Sequence, residues 1–320
     1  MGRKVFLPMK PPVSLGFCDL HIGGRNFFTR LLETHFDIRW DDPAEFVIYG
    51  HIGHAHRLQN GVKIYWTQEL YGPNWKECDY AILPKLVDDP RAYYLPIYGF
   101  DGMAKKLIRS TIPDPVALRS SKPHFCSLLC AYADHTTGQR QDFFHILNQR
   151  RKVDSAGPAL NNTGFRIPKG GGGMNRYEHK IRWIENYRFN IAFENRDCPG
   201  WTTEKLVDPL HVHTIPIHWG DPRVKEYFNP ESFICASDFA SLHELADYVI
   251  HVDETPELYA RYLQATPFYN NRPNPAYDLN LLVDFFRKIF SSPIRPIAQR
   301  RWFFPLTKWR LAKRNKLPGK

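Results

Sequence analysis

Short apolar runs alternate with stretches of helical period from one end of the chain to the other, the order expected of an α/β protein with parallel sheets. In the first third the runs predict strands at 4–8, 36–40, 45–50, 63–68, 80–84 and 92–98. A helix at 25–34 would place Phe27, Leu31 and Leu32 on one face. From Ser110 to Pro123 proline and serine dominate, which reads as an interdomain connection with the boundary near 118. Beyond it come a strand at 124–133, a helix at 139–149, a short strand at 151–154, a helix at 176–186, a strand at 188–194, a helix at 202–212 and a strand at 213–218. Ser241-Leu-His-Glu244 is a capping box opening a helix to about 251, and Thr255-Pro256 starts another. A last helix covers 278–290, so the expected domains are 1–118, 119–290 and a tail at 291–320.

Charge changes this picture only at the end. The formal net charge of +10 comes from 43 Lys and Arg against 33 Asp and Glu, but eleven of the bases and none of the acids lie between Arg287 and Lys320. Residues 1–286 therefore carry 32 bases against 33 acids, a net of −1, which argues against a basic nucleic-acid-binding face on the folded body. In the tail, Leu306, Trp309 and Ala312 share one helical face among Lys308, Arg310, Lys313 and Arg314. Two readings stand: an interfacial helix on an anionic membrane surface, or a disordered basic tail. No apolar run approaches the ~18 residues of a spanning helix, and Lys4, Lys10 and early prolines break any signal-peptide core. A cytoplasmic protein is expected, peripheral on the inner face of the membrane if the tail binds there. The six cysteines include no Cys-x-x-Cys pair; Cys126 and Cys130 fall in one predicted strand, where four residues span ~13 Å and exclude a disulfide. Reduced thiols are expected.

The most informative segment is Tyr187-Arg-Phe-Asn-Ile-Ala-Phe-Glu-Asn195, with Glu204-Lys205 nine residues on. A strand delivers a carboxylate and an amide to its end, a loop turns, and a helix opens with Thr-Glu-Lys, where unpaired amides and the helix dipole favour an anion. That combination suits the diphosphate of a sugar nucleotide. Gly170–Gly173, lacking a following Lys-Ser or Lys-Thr, is no P-loop and reads as a mobile surface loop. Pro209 should kink or shorten its helix. Asn162, in Asn161-Asn-Thr163, reads as part of a glycosylation signal, which in a cytosolic chain has no consequence.

Phe189-Asn-Ile-Ala-Phe-Glu-Asn195, Trp201-Thr-Thr-Glu-Lys205, His213-Thr-Ile-Pro-Ile-His-Trp-Gly220 and Phe228-Asn-Pro-Glu-Ser-Phe233 together resemble the donor-binding segment of the α-1,3-fucosyltransferases, glycosyltransferase family 10. The likeness is dense over 185–240, present over 139–164 and thin at 63–98. It implies a GT-B architecture, two Rossmann-like domains facing across a cleft, with the acceptor bound by the N-terminal one and the donor mainly by the C-terminal one. It also implies GDP-L-fucose as donor, inversion to an α-linked fucoside, an oligosaccharide acceptor and no obligatory metal. Consistent with the last point, no Asp-x-Asp sits at a predicted strand end.

The resemblance also assigns roles. Glu69, at the end of Lys63-Ile-Tyr-Trp-Thr-Gln-Glu69, is the candidate general base, beside the plain reading of an exposed carboxylate at a strand end. Arg140 and Lys205 are the candidate phosphate ligands that compensate charge on the leaving group. Glu204 would contact ribose or fucose hydroxyls, and Asn195 the fucosyl phosphate region. Glu194 would share that work or cap the turn, and Thr203 belongs to the same donor-binding turn. Trp201 stands where the family usually has tyrosine, so it could pack on the donor without supplying a phenolic hydroxyl. His51-Ile-Gly-His54-Ala-His56 could ligate a metal, but without a carboxylate or cysteine partner in the spacing a polar acceptor-facing loop is preferred. Trp66, Tyr71 and Trp75 would stack on acceptor sugars or pack in the core. The implied reaction is transfer to the 3-OH of GlcNAc in an N-acetyllactosamine-type glycan. Another GDP-hexose or acceptor, or a basic-tailed membrane- or RNA-binding protein without turnover, are the alternatives.

Overall fold

The computed structural model describes residues 12–130, 138–168, 170–171, 174–291, 294, 296 and 297. The described residues form two compact units, one holding those up to Leu95 together with those from Asp278 to Ile297, the other those within Pro96–Tyr277. The first unit runs β1 (Val13–Cys18), α1 (Ile22–His35), β2 (Ile38–Trp40), β3 (Phe46–Tyr49), β4 (Val62–Trp66), β5 (Tyr80–Leu83) and β6 (Ala92–Tyr94). All pair in parallel in the order β2-β1-β3-β4-β5-β6. Every residue of β3 and β4 is buried, as parallel strands covered on both faces require.

The second unit continues with α2 (Pro115–Ser121), β7 (His124–Leu129), α3 (Gln139–Arg150), β8 (Val153–Ala156), the two-residue strands β9 (Gly170–Gly171) and β10 (Met174–Asn175), α4 (Arg176–Glu185) and β11 (Tyr187–Phe193). It closes with α5 (Glu204–His211), β12 (Ile215–Trp219), α6 (Val224–Tyr227), β13 (Ile234–Cys235), α7 (Leu242–Glu254) and α8 (Pro256–Gln264). Its five-stranded parallel sheet has the order β13-β12-β11-β7-β8. The order reverses at β7, and ligands of such sheets bind beyond the carboxyl ends of the strands at that reversal. A stack of Phe143 on Phe193, centroids 5.0 Å apart and both side chains fully buried, fixes α3 to β11 one helical turn from Arg140. Burying each such ring contributes about 1.5–3 kcal/mol.

Two parallel-sheet α/β units give the GT-B fold class expected from the sequence. Several elements differ from expectation. The strand at 4–8 lies outside the described residues, and β1 at Val13–Cys18 was not foreseen. Gly16 interrupts its apolar run, because a Cβ there would stand 2.7 Å from the carbonyl oxygen of Asp41. The strand expected to reach 98 stops at Tyr94, and a 3-10 helix occupies Ile97–Leu107. The expected linker contains α2, capped by Asp114 with Pro115 in its first turn. The glycine run is not a plain surface loop: Gly170–Gly171 pair antiparallel with Met174–Asn175.

The helix expected at 278–290 forms as α9 (Leu279–Ser291) but belongs to the first unit. Its Phe286 meets Phe28 at 5.9 Å, and its Phe290 meets Phe36 and Phe46 at 5.1 and 4.9 Å. Just beyond it, the Ile297 amide donates to Asp79 at 2.8 Å. The basic-aromatic helix expected in the tail lies outside the described residues, and no described helix is long and apolar enough to cross a membrane.

Candidate functional site

At the carboxyl ends of β7, β8 and β11 lies a cavity of about 660 Å³. Five cations line it, Arg140, Arg166, Arg176, Lys180 and Lys205, against one carboxylate, Glu204; Asn190 and Asn195 complete the polar wall, with Leu129, Ile167 and Ile191 among its apolar residues. At the lip Gly157 has φ +141°, and a Cβ there would come within 2.4 Å of the Cys130 carbonyl oxygen, so glycine lets the end of β8 close against β7.

The loop joining β11 to α5 is organised by two buried carboxylates. Glu194, 1% exposed, accepts the Thr203 amide at 2.8 Å and its hydroxyl at 2.7 Å, and receives Lys205 Nζ at 3.0 Å on its other oxygen. Asp221, 4% exposed, accepts the Gly200 amide and the Thr202 hydroxyl. Gly220 must be glycine: its φ is +132° and a Cβ would stand 2.4 Å from the Glu194 Cβ. Thr203 caps α5 by accepting the Lys205 amide. Pro209 sits inside α5, which ends at eight residues, as its proline demands.

This geometry redistributes the sequence-derived residues. Arg140, 4% exposed, donates from Nε and Nη2 to the Phe193 carbonyl and from Nη2 to Asn195 Oδ1 at 2.8 Å. It therefore sets the end of β11 and aims Asn195 while its uncompensated charge borders the cavity. Lys205 is the lining cation held by Glu194. Burial pushes its pKa down, but Glu194 and then Glu204 outweigh that and hold it above the ordinary value. At the rim, Glu204 is pushed up by desolvation against the wall, yet Lys205 and then Lys180 dominate and lower its pKa to about 2. Glu194, Trp201 and Thr203 are buried and do not line the cavity; they form the support beneath it.

Three cavity cations escaped sequence reasoning. Arg176, Lys180 and Ile184 recur every four residues on α4 and all line the cavity, a signal of shared face that the spacing carries. Lys180 forms a 2.6 Å ion pair with fully buried Asp208. Burial raises the Asp208 pKa, opposed by Lys180.

Glu69 belongs to the first unit. It lines a smaller pocket of about 220 Å³ with Asp19, His21, His51, Ile52, Trp66 and Gln68, at the carboxyl ends of β1, β3 and β4. Thr67, 2% exposed, accepts the Glu69 amide at 3.0 Å on Oγ1, which also contacts His51 Nδ1 at 3.2 Å. Among the described residues no three His, Cys, Asp or Glu side chains form a metal-holding group. His56 is instead buried between Asp19 at 2.8 Å and Glu77 at 3.2 Å, its ring stacked on Tyr49. Trp66 packs edge-on against Phe28 and is 2% exposed, with its ring also bordering the pocket. Trp75 lies beneath the Arg91 guanidinium, whereas Tyr71 is 60% exposed against His51.

Residues 120–280 match the family model described as glycosyltransferase family 10 (fucosyltransferase) C-term, and residues 15–100 match that of the alpha-(1,3)-fucosyltransferase FucT N-terminal domain. The Helicobacter pylori alpha-(1,3)-fucosyltransferase FucT is 27% identical over 292 residues, covering 78% of this chain and 59% of that protein. Alpha-(1,3)-fucosyltransferase B of Drosophila melanogaster is 31% identical over 150 residues, 46% of this chain and 33% of that protein. The chain thus spans less than two thirds of the length of either relative. A crystal structure of an alpha1,3-fucosyltransferase with GDP-fucose superposes with a TM-score of 0.68 at 23% identity, covering 91% of this chain and 94% of that one. The matched C-terminal model alone spans half of the sequence: the chain belongs to glycosyltransferase family 10, the fucosyltransferases.

Proposed function

We propose that the protein transfers L-fucose from GDP-β-L-fucose to the 3-OH of GlcNAc in an N-acetyllactosamine-type glycan, with inversion to an α-1,3 linkage. The observation that carries this reading is the cavity of the second unit, where five cations and one carboxylate surround a space at the sheet's reversal point. Its volume falls within the ~300–1,000 Å³ range of small-molecule sites. A nucleotide diphosphate supplies the negative charge such a wall needs, and the names of the family and its relatives supply the sugar.

In this mechanism the second unit holds the donor and the first supplies the base. Glu69 takes the proton of the acceptor hydroxyl. The acceptor oxygen bonds to the anomeric carbon of fucose, and the electron pair of the breaking carbon–oxygen bond departs on the β-phosphate, releasing GDP. Lys205 and Arg140 stabilise the charge gathering on that diphosphate, the former directly and the latter also through Asn195. Glu204, a lining carboxylate, accepts hydrogen bonds from sugar hydroxyls. Exposed Tyr71 offers the acceptor a stacking face.

The test incubates the purified chain with GDP-fucose and a panel of short glycans and identifies product linkage by mass spectrometry and NMR. GDP-fucose should be used and UDP-sugars should not; equal use of UDP-sugars would refute the donor assignment. Glu69→Gln should lower kcat by roughly 10²–10⁴-fold, the span of general-base catalysis, while GDP binding stays unchanged. Retained turnover in that variant removes Glu69 from the role.

A further inference from the structure

Three of the five cavity cations are internally engaged, and two are not. Lys205 is held by Glu194 and Lys180 by Asp208, while Arg140 hydrogen-bonds the Phe193 carbonyl and Asn195. Arg166 and Arg176 line the same cavity, are exposed, and have no hydrogen-bond or ion-pair partner among the described residues. Their backbones are nevertheless fixed. Asn161 ties the preceding loop by donating to the Gly157 and Phe165 carbonyls and accepting the Thr163 and Gly164 amides. Phe165 then stacks on Trp183 of α4, centroids 4.9 Å apart and planes 9° from parallel. Arg176 is the first residue of that same helix, whose start is locked by a reciprocal capping box between Asn175 and Glu178. One helix therefore anchors both arginines, whose guanidinium groups line the cavity.

From this arrangement we infer that Arg166 and Arg176 form a clamp for the diphosphate of the nucleotide, drawn most strongly to the released nucleoside diphosphate. The inference rests on the donor-site reading above and adds residues it does not name. With Lys180 and Lys205 balanced by Asp208 and Glu194, the remaining charges at the cavity are those of Arg140, Arg166 and Arg176 against the single lining carboxylate, Glu204, an excess of positive charge. A nucleotide sugar presents two phosphate charges, and breaking its bond to the sugar exposes a terminal phosphate that carries roughly one more at neutral pH. The clamp thus meets charge that grows during the reaction, the condition under which binding energy accelerates the chemical step. Arginine suits the task, since its planar fork grips two phosphate oxygens at once.

The experiment is calorimetric titration of the whole chain with GDP, GMP and guanosine, comparing wild type with Arg166→Gln, Arg176→Gln and the double variant. Neither residue has a hydrogen-bond or ion-pair partner among the described residues, so thermal unfolding midpoints should match wild type. GDP affinity should fall about tenfold or more in the double variant, with the loss for guanosine under about twofold, and the salt dependence of GDP binding should flatten. In kinetics the double variant should lose kcat along with its affinity for GDP. Equal weakening of GDP and guanosine, or GDP affinity within about twofold of wild type, overturns the clamp. Failure of the wild-type chain to bind GDP at all would instead sink the donor-site reading, so the two failures are distinguishable.

Discussion

The two pockets are built on the same plan, beyond the carboxyl ends of a parallel sheet, yet they are supported in opposite ways. In the second unit the functional side chains stand on buried charge: Glu194 and Asp221 hold the β11–α5 loop, and Asp208 holds Lys180. In the first unit Glu69 is exposed, and its support is a single threonine hydroxyl that also meets His51. A network of buried charges is rigid and fails as a whole when one member is removed. A lone exposed carboxylate can be exchanged without consequence for the fold. The proposed anion site is thus stiff and the proposed catalytic group locally supported, and the difference can be broken or sharpened by experiment.

The largest effect is expected at Glu194. Glu194→Ala leaves Lys205 Nζ and the Thr203 amide without their buried acceptor, a loss of about 3–5 kcal/mol by the usual cost of breaking a buried ion pair. Urea unfolding should register it, and GDP binding should be lost with it. Glu69→Ala, by contrast, should change stability by no more than about 0.5 kcal/mol, as exposed substitutions do. Should the two variants unfold at the same urea concentration, the contrast in support is gone.

A smaller effect separates the units by proton uptake. His218 is fully buried in β12 with Nδ1 against the Ala192 carbonyl, and burial lowers its pKa to about 4 from an ordinary 6.5. His213 is lowered to about 4 by burial and by Arg109. In the unfolded chain each imidazole takes up a proton as pH falls below 6.5, whereas the folded one stays neutral until about 4. Stability of the second unit should therefore be complete above pH 6.5 and decline as the pH falls towards 4. For His218 the loss is of order 3 kcal/mol over that window. Urea unfolding at a series of pH values checks it, and His218→Gln should flatten the slope. A wild-type profile flat from pH 7 to 4.5 removes the assignment of a buried neutral His218.

Contiguity decided what could be read from the amino acids. The proposed donor side was partly legible because Phe189–Asn195 and Trp201–Lys205 lie close together, so one strand, one loop and one helix start bring Asn190, Ile191, Asn195, Glu204 and Lys205 to the cavity wall. Even there, residue type did not tell lining from support: Glu194, Thr203 and Trp201 are buried, a fact of packing that no local pattern encodes. Arg166 was missed because it joins the site through the stack of Phe165 on Trp183, eighteen residues apart in the chain. The first unit hid more. Its pocket gathers Asp19, His51 and Glu69 from the ends of three strands, and β1 was obscured by a glycine needed to pass Asp41. Likewise α9 carries a plain amphipathic pattern that shows it must pack but not on which sheet.

The finest test concerns the hydroxyl beneath Glu69. Thr67 Oγ1 accepts the Glu69 amide, and its one proton is available to His51 Nδ1. This links the orientation of Glu69, the proposed general base, to an imidazole at the pocket wall. Thr67→Val keeps the shape and removes both bonds, so kcat should fall about fivefold to tenfold, the effect of a hydrogen bond of ~1–1.4 kcal/mol, while GDP affinity stays as in wild type. Thr67→Ser should restore most of the rate. At His51, asparagine can place an amide where Nδ1 stands, so His51→Asn should stay near wild type, and His51→Leu, which keeps the bond from the Glu69 amide, should lose less than Thr67→Val. If serine and valine at 67 behave alike, the hydroxyl carries nothing, and Glu69 is oriented by the strand end alone.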